Sequence, residues 1–169
     1  MNPNEFEDSY DDKQKIRGAI VTDPISVLRP KAPASVRPNT TVLDAVHLMT
    51  QKKIGCVCVT ENEKLVGIFT ERDVLRKIVE PGLDARKTLV SEVMTHNPET
   101  LTPRDRMAFA LNKMHVGGYR HIPLVDGTKL VGVISVRDIA DFIVEMFPEG
   151  VLNVPPEPKL GISTRREGA

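Results

Sequence analysis

Two short segments of this sequence place a hydroxyl residue and a carboxylate three positions apart, directly after an apolar run. The first segment contains Thr70 and Asp73, and the second contains Ser135 and Asp138. A carboxylate can accept hydrogen bonds from two adjacent hydroxyl groups, such as those of a ribose ring. A hydroxyl residue at the start of a helix lies beside free backbone N–H groups, which favour an anion such as phosphate. One turn of this kind could therefore hold a sugar and a phosphate together.

The same spacing is also typical of a helix N-cap, in which a Thr or Ser hydroxyl accepts a backbone N–H group from the first helical turn. The two roles are compatible, because the hydroxyl can cap the helix while the Asp faces a cleft. An arginine precedes each Asp, at Arg72 and at Arg137. Each arginine either reaches a phosphate or only solvates the start of its helix, and the sequence leaves both alternatives open.

The two segments belong to an internal tandem repeat with an offset of 65 positions. This offset aligns Ser26 with Ser91, and it aligns residues 78–80 (Ile-Val-Glu) with residues 143–145, without a gap between them. A chance similarity would not keep one register over this distance. The chain therefore contains two copies of one unit, which is too few for a solenoid.

Each copy predicts the element order strand, helix, strand, strand, helix. Apolar stripes at helical spacing in residues 42–49 and 107–114 predict the first helix of each copy, with Thr40 and Asp105 as N-caps. The apolar runs that predict the paired strands, joined by polar turns, are residues 56–60, 65–69, 122–126 and 130–134.

The closing helix of each copy is also predicted from an apolar stripe. In the first copy the stripe consists of Val74, Leu75, Ile78 and Val79, and the second copy has a matching stripe in residues 139–146. A unit of this size cannot bury its own apolar faces, so we expect the two copies to face each other around one core.

The predicted boundaries follow the repeats and the changes in composition between them. We expect a mobile acidic tail (1–17), a first repeat (18–82), a linker with a short helix near its end (83–92), a second repeat (93–148) and a proline-rich tail (149–169).

The composition excludes several classes of protein. Lys and Arg total 23, and so do Asp and Glu, so the charge gives little support to a nucleic-acid partner. The acidic N-terminal residues do not resemble a signal peptide, and no apolar run approaches the roughly 18 residues of a membrane span. Cys56 and Cys58 lie two positions apart in a predicted strand, where they are poorly placed to bond each other. We therefore expect a reduced, cytoplasmic protein without a membrane partner.

Two repeats of this layout, each ending in Gly-apolar-apolar-Thr/Ser-x-x-Asp, resemble a tandem pair of cystathionine-beta-synthase (CBS) domains, also called a Bateman module. Residues 93–98 (Val-Met-Thr-His-Asn-Pro) and 122–125 (Ile-Pro-Leu-Val) are similar to that family as well. The resemblance covers roughly residues 18–148. It implies an α/β (α+β) fold in which two β-α-β-β-α repeats pack as a pseudo-two-fold pair.

The resemblance also implies a function. Members of this family are regulatory modules that bind adenosine ligands in the cleft between the repeats. For this chain we expect a stand-alone sensor of AMP, ADP, ATP or S-adenosylmethionine, and no further cofactor is expected. Two such modules associate, so we expect a homodimer that changes its geometry when ligand binds. We also expect a regulated protein as partner, which the sequence does not identify.

The resemblance places Arg120 and His121 near the phosphates of a bound nucleotide. The matched positions of the first copy carry no charge, which predicts a stronger site at Asp138 than at Asp73. Because the cleft lies between the repeats, however, Arg120 and His121 could instead serve a ligand held by Asp73. Tyr119 either covers an adenine ring or only packs. The candidate ligand-binding residues are Thr70, Arg72, Asp73, Arg120, His121, Ser135, Arg137 and Asp138.

The remaining arrangements favour structural roles. Cys56 and Cys58 could form a metal site with His47, but two cysteines on an apolar strand are more typical of a core, and we expect no metal. No nucleophile–base pair, carboxylate pair or glycine-rich phosphate loop stands out, so we expect no enzymatic activity. Gly117 and Gly118 indicate the end of a helix. The alternative function is an interaction or scaffold module that binds no ligand.

Overall fold

A computed structural model of the chain describes Gln14 and residues 18–146. The described part is a mixed α+β structure in which each repeat has the predicted order of strands and helices. Apart from Gln14, the two predicted tails lie outside the described residues. Within the described residues, no helix has both the length and the apolar character needed to cross a membrane.

The helices begin and end close to the predicted positions, and the short helix predicted near the end of the linker is present. Residues 18–22 are helical. They are followed in chain order by a 3-10 helix (Ile25–Leu28), α1 (Val42–Lys52), α2 (Glu71–Asp73), a π-helix (Val74–Val79), α3 (Val90–Val93), α4 (Met107–Gly117) and α5 (Val136–Met146).

The strands form one sheet, with the order β1-β2-β3-β6-β5 and with β4 paired to β3. The four paired strands predicted from apolar runs are present, each extended by one or two residues. The opening strand of the first copy is short, and in the second copy the corresponding extended segment forms only an isolated bridge between Leu101 and Leu124. In chain order the strands are β1 (Ser35–Val36), β2 (Cys56–Glu61), β3 (Lys64–Thr70), β4 (Thr95–His96), β5 (His121–Asp126) and β6 (Lys129–Ser135).

The predicted N-caps of α1 and α4 are wrong by one residue. Thr41, not Thr40, caps α1, because its extended backbone lets its Oγ1 accept the backbone N–H of Asp44. The Thr40 hydroxyl instead accepts the backbone N–H of Arg37. Asp105 has a similar alternative use: its Oδ2 accepts hydrogen bonds from the backbone and hydroxyl of Thr102. In both repeats, the side chain that the sequence predicts as the N-cap instead forms hydrogen bonds within the loop before the helix.

The closing helix of the first repeat differs from its prediction. Ile78 is buried, but Leu75 and Val79 are each 63% exposed. This segment is π-helical, and the N–H of Glu80 accordingly donates to the carbonyl of Leu75, five residues earlier. A wider turn changes which positions share a face. A stripe read at α-helical spacing therefore assigned two exposed side chains to the core.

Each repeat has a hydrophobic core of its own, so the expectation of one shared core is wrong. The first core is completed by Val90, Val93 and Met94, which lie in the segment that leads into the second repeat. The second core is completed by Ile25, which is fully buried and precedes the first repeat's strands. We call residues 24–31 and 89–96 the crossing segments, because each one packs on the repeat to which it does not lead.

The crossing segments are held by equivalent hydrogen bonds. The backbone N–H of Ser26 donates to the carbonyl of Pro103 at 2.9 Å, and that of Ser91 donates to the carbonyl of Pro38 at 3.0 Å. These two bonds are related by the 65-residue offset of the sequence repeat. The chain therefore forms the predicted pair of repeats related by a pseudo-two-fold axis.

Backbone pairing between the strands of the two repeats is sparse. Within the described residues, β3 and β6 pair only where Lys64 lies opposite Lys129. Elsewhere β3 pairs with β4 of the crossing segment, through Gly67 and Ile68. The crossing segments therefore provide much of the contact between the repeats.

Candidate functional site

The turn from β3 into α2 forms a complete capping box. Oδ2 of Asp73 accepts hydrogen bonds from the backbone N–H of Thr70 at 2.9 Å and from its hydroxyl at 2.7 Å. The N–H of Asp73 lies 3.3 Å from Thr70 Oγ1. Asp73 is only 9% exposed. The capping interpretation of this motif is confirmed, and the cap fixes one carboxylate oxygen at the start of the helix.

The second oxygen of the same carboxylate has a different partner. Lys77 Nζ lies 2.8 Å from Asp73 Oδ1 and donates a further hydrogen bond to the carbonyl of Val93 at 2.7 Å. Val93 ends α3 in the crossing segment. Lys77 therefore links the carboxylate of the first repeat to the backbone that leads into the second.

The matching turn from β6 into α5 has the same cap. Oδ2 of Asp138 accepts hydrogen bonds from the backbone N–H and the hydroxyl of Ser135, each at 2.6 Å. The position that matches Lys77 is Phe142, which offers no cation. Arg137 Nε lies 3.7 Å from the carboxylate of Asp141, and both side chains are largely exposed. The sequence left open whether Arg137 reaches a phosphate or only solvates the start of its helix, and its exposed position fits the second role.

A cavity of about 760 Å³ lies between the two repeats. It brings together the turn at the end of β3 and the loop between α4 and β5. Five of the eight predicted site residues line it, and these are Thr70, Arg72, Asp73, Arg120 and His121.

The cavity does not include the second turn. Ser135, Arg137 and Asp138 are absent from its lining. Arg120 and His121 thus line the same cavity as Asp73 of the other repeat, the arrangement that the second alternative describes. His121 also lies opposite Ser135 in the pairing of β5 with β6 and is close enough to Asp138 for that carboxylate to affect its pKa.

Arg72 is used within the protein. Its Nη1 donates to the carbonyl of Gly118 at 2.5 Å, at the C-terminal end of α4. The bond joins the first turn directly to the second repeat. Arg76 and Lys77, by contrast, line the cavity and were missed from the sequence. Their spacing of three and four residues from Asp73 on one helical segment was the available signal.

His121 fits into the cavity wall because a glycine lies opposite. A Cβ atom built on Gly55 would lie 3.2 Å from His121 Nε2. Gly55 is the first-repeat match of Arg120, so the missing side chain of one copy makes room for the other copy's imidazole. Burial lowers the pKa of His121; the carboxylates of Glu71 and Asp138 oppose this shift, while nearby arginines reinforce it. The lowered pKa favours a neutral ring at neutral pH.

Tyr119 lines the cavity and also packs against the second core. Its hydroxyl donates to Glu99 Oε2 at 2.6 Å, and burial, followed by this bond, raises the pKa of Tyr119 to about 12. The other carboxylate oxygen of Glu99 pairs with Lys113. Tyr119 therefore packs against the second core, as one alternative predicted. Because it also lines the cavity, its ring remains available to a ligand.

The cysteines lie in the core. Cys56 and Cys58 are free thiols with 6% and 0% exposure, whereas His47 is exposed. Burial raises the pKa of both thiols to about 12. Across the part of the chain that the structure describes, no group of three His, Cys, Asp or Glu side chains could hold a metal ion.

The structure is a paired-repeat module. Its two small α+β repeats are each completed by a crossing segment, and a cavity beside a capped carboxylate lies between them. The family model described as the CBS domain matches residues 17–80 and 90–145. The chain belongs to the CBS domain family, which confirms the resemblance seen in its sequence.

Relatives and solved structures agree with this assignment. The chain is 37% identical over 109 residues to the Arabidopsis thaliana mitochondrial CBS domain-containing protein CBSX3, a match that covers 62% of this chain and 53% of the relative. A protein with CBS domains from Burkholderia ambifaria superposes with a TM-score of 0.64 and 32% identity, covering 69% of this chain and 85% of that chain.

A further structure is the CBS domain pair of protein MJ0100, in complex with 5'-methylthioadenosine and S-adenosyl-L-methionine. It superposes with a TM-score of 0.64 and 22% identity, covering 70% of this chain and 98% of that chain. At this identity the likeness shows the fold alone. The chain spans about half the length of CBSX3.

Proposed function

We propose that the protein is a cytoplasmic, non-enzymatic regulatory sensor that binds an adenosine ligand, such as AMP, ADP, ATP or S-adenosylmethionine, in the cavity between its repeats. The observation that carries this proposal is the carboxylate of Asp73, which is nearly buried, fixed by its cap and located in a cavity lined by cations. The volume of about 760 Å³ lies within the range of about 300–1,000 Å³ that is usual for small-molecule sites.

The chemistry of the lining matches the parts of a nucleotide. Asp73 accepts hydrogen bonds from the ribose hydroxyls through Oδ1, the oxygen that also contacts Lys77, so the ribose and the ammonium compete for its lone pairs. Arg76 and Arg120 supply positive charge for phosphate. Tyr119 offers an aromatic face for the adenine ring. The two adenosyl compounds bound by MJ0100 belong to the same ligand class.

The regulatory part of the proposal follows from the position of the cavity. A ligand there contacts Asp73 of the first repeat and Arg120 of the second, so its binding energy depends on how the repeats are placed. Binding then shifts the geometry of the module, and of the homodimer that two modules form, and another protein reads the change. The free, buried thiols of Cys56 and Cys58 suit a reducing compartment such as the cytoplasm.

The test is calorimetric titration of the full chain with AMP, ADP, ATP and S-adenosylmethionine. Asp73→Ala and Asp138→Ala form a matched pair, because each variant removes the same capping interactions. Loss of a hydrogen bond to a charged group costs about 1.5–3 kcal/mol, or roughly 10- to 150-fold in Kd. We expect this loss for Asp73→Ala alone. The absence of binding at millimolar ligand, or an equal effect of both variants, would contradict the proposal.

One observation favours the alternative, a scaffold module without a ligand. Both oxygens of Asp73 and the guanidinium of Arg72 already have partners within the protein. In that case the oligomeric state, measured by small-angle scattering, does not respond to any of the four adenosine ligands. A change of scattering profile with one ligand and not with guanosine or inorganic phosphate supports the sensor instead.

A further inference from the structure

The two repeats differ at one position beside otherwise equivalent carboxylates. Asp73 and Asp138 are both held by a capping box through Oδ2. Four residues later the first repeat has Lys77, whereas the second has Phe142. The first carboxylate thus has an internal cation on its remaining oxygen, and the sequence of the second repeat provides none at that position.

The contact made by Lys77 occupies the oxygen that a ligand would use. Its ammonium group lies 2.8 Å from Asp73 Oδ1, and Asp73 is almost fully removed from solvent. Its second bond, to the carbonyl of Val93, holds the ammonium in this position. The Lys77 side chain is nevertheless 39% exposed, and it lines the same cavity. The ammonium can therefore contact a ligand without entering the protein interior.

We infer that Lys77 is a selectivity residue, which disfavours neutral ligands at Asp73 and favours ligands that carry an anionic group. This inference rests on the proposed function. A neutral nucleoside must compete with the ammonium for Asp73 Oδ1 and gives the ammonium nothing in return. A ligand with a phosphate supplies a new anionic partner to Lys77, and a lysine ammonium has three donors with which to hold Asp73, Val93 and the phosphate. The competition is relieved only for the anionic ligand.

The test compares adenosine with AMP by calorimetry, on the wild-type chain and on Lys77→Met. Methionine keeps most of the side-chain volume and removes the charge. We expect adenosine to bind about tenfold more tightly to Lys77→Met and AMP to bind about tenfold more weakly, the change that one charge-assisted hydrogen bond can cause. The ratio of the two Kd values is the readout, because a general loss of structure would weaken both ligands.

Two further variants separate the contact with Asp73 from the loss of charge. Arg76→Met removes a neighbouring cation of the same cavity and should weaken AMP without strengthening adenosine. Lys77→Arg retains the charge and should keep the wild-type preference for AMP. Thermal melting by circular dichroism checks that each variant is folded at the titration temperature.

The outcomes distinguish this inference from the proposed function. If the wild-type chain binds adenosine or AMP and Lys77→Met leaves their ratio unchanged, the role of Lys77 is overturned while the sensor remains. If Arg76→Met also strengthens adenosine binding, the effect comes from general charge and the inference fails. If the wild-type chain binds neither ligand, the proposed function and this inference fail together.

Discussion

Met94 lies directly over Gly67, so closely that a Cβ atom built on Gly67 would be 2.3 Å from the Met94 sulfur. Gly67 belongs to β3, and Met94 belongs to the crossing segment that pairs with it. The glycine of the repeated Leu-Val-Gly motif therefore has a packing reason, because the strand must leave room for the other repeat's crossing segment. Its counterpart Gly132 faces Pro30, whose Cβ would lie 3.1 Å from a Cβ atom built on Gly132.

We expect Gly67→Ala to lower the free energy of unfolding by about 1–3 kcal/mol, the usual cost of adding a methyl group to a packed site. Gly132→Ala is the matched comparison and should cost less, because its nearest contact is longer. Urea denaturation followed by circular dichroism measures both. In a Met94→Ala background the Gly67→Ala change should become nearly neutral. An equal cost in both backgrounds would show that Met94 is not the obstacle.

Ile25→Ala should destabilise the second repeat, although the residue precedes the first repeat in the chain. Ile25 is fully buried in the second core, and truncation of a buried Ile to Ala costs about 2–5 kcal/mol. Val27→Ala is the control: Val27 lies in the same crossing segment at 42% exposure, so its change should stay within about 0.5 kcal/mol. Amide hydrogen exchange should locate the loss of protection in β5 and β6. Loss confined to β2 and β3 would be incompatible with the crossing arrangement.

The buried thiols predict a loss of stability in alkaline solution. The pKa of Cys56 and of Cys58 is raised from 9.0 to about 12 in the folded protein. Between these values the folded state binds more protons than the unfolded state, so the free energy of unfolding falls as the pH rises from about 9 towards 12. Below pH 9 both states keep the thiols protonated and this contribution is constant.

The measurement is denaturant unfolding at pH 7, 9 and 10.5, on the wild-type chain and on a Cys56→Ala/Cys58→Ala double variant. The double variant is less stable at pH 7 because it loses packing, but it should lose less further stability on going to pH 10.5. Other groups, including Tyr119, titrate in this range and affect both proteins alike. Parallel pH profiles would argue against burial of the thiols as the cause.

The elements of the fold could be predicted from the sequence where a local pattern decides them. The stripe of Val42, Ala45 and Met49 predicted α1 because a helix with one buried face has only one suitable period. The same method misplaced Leu75 and Val79, since the change to a π-helix alters the period without a signal in composition. The predicted N-caps were wrong by one residue because neighbouring polar side chains, such as those of Thr40 and Thr41, can both serve as the cap.

The candidate site shows a different limit. Thr70 and Asp73 were identified because their spacing is local, and the capping box formed as that spacing predicts. Which basic residues face Asp73 depends on how the two repeats pack, and no local pattern carries that information. Position 55 illustrates the point: its glycine looked like a missing charge in the sequence, whereas in the structure it provides the space that His121 occupies.

The sparse backbone pairing between β3 and β6 determines how the two repeats are joined. Within the described residues, Lys64 opposite Lys129 is the one backbone pairing that joins the strands β3 and β6. The strands inside each repeat, by contrast, pair along their full length. The sheet therefore consists of two fully paired plates that meet at a joint with little backbone pairing of its own. Arg72, bonded to Gly118 across that joint, acts as a brace at the side where the cavity opens. The angle between the plates is thus set by the crossing segments and by side-chain contacts such as this one rather than by the sheet.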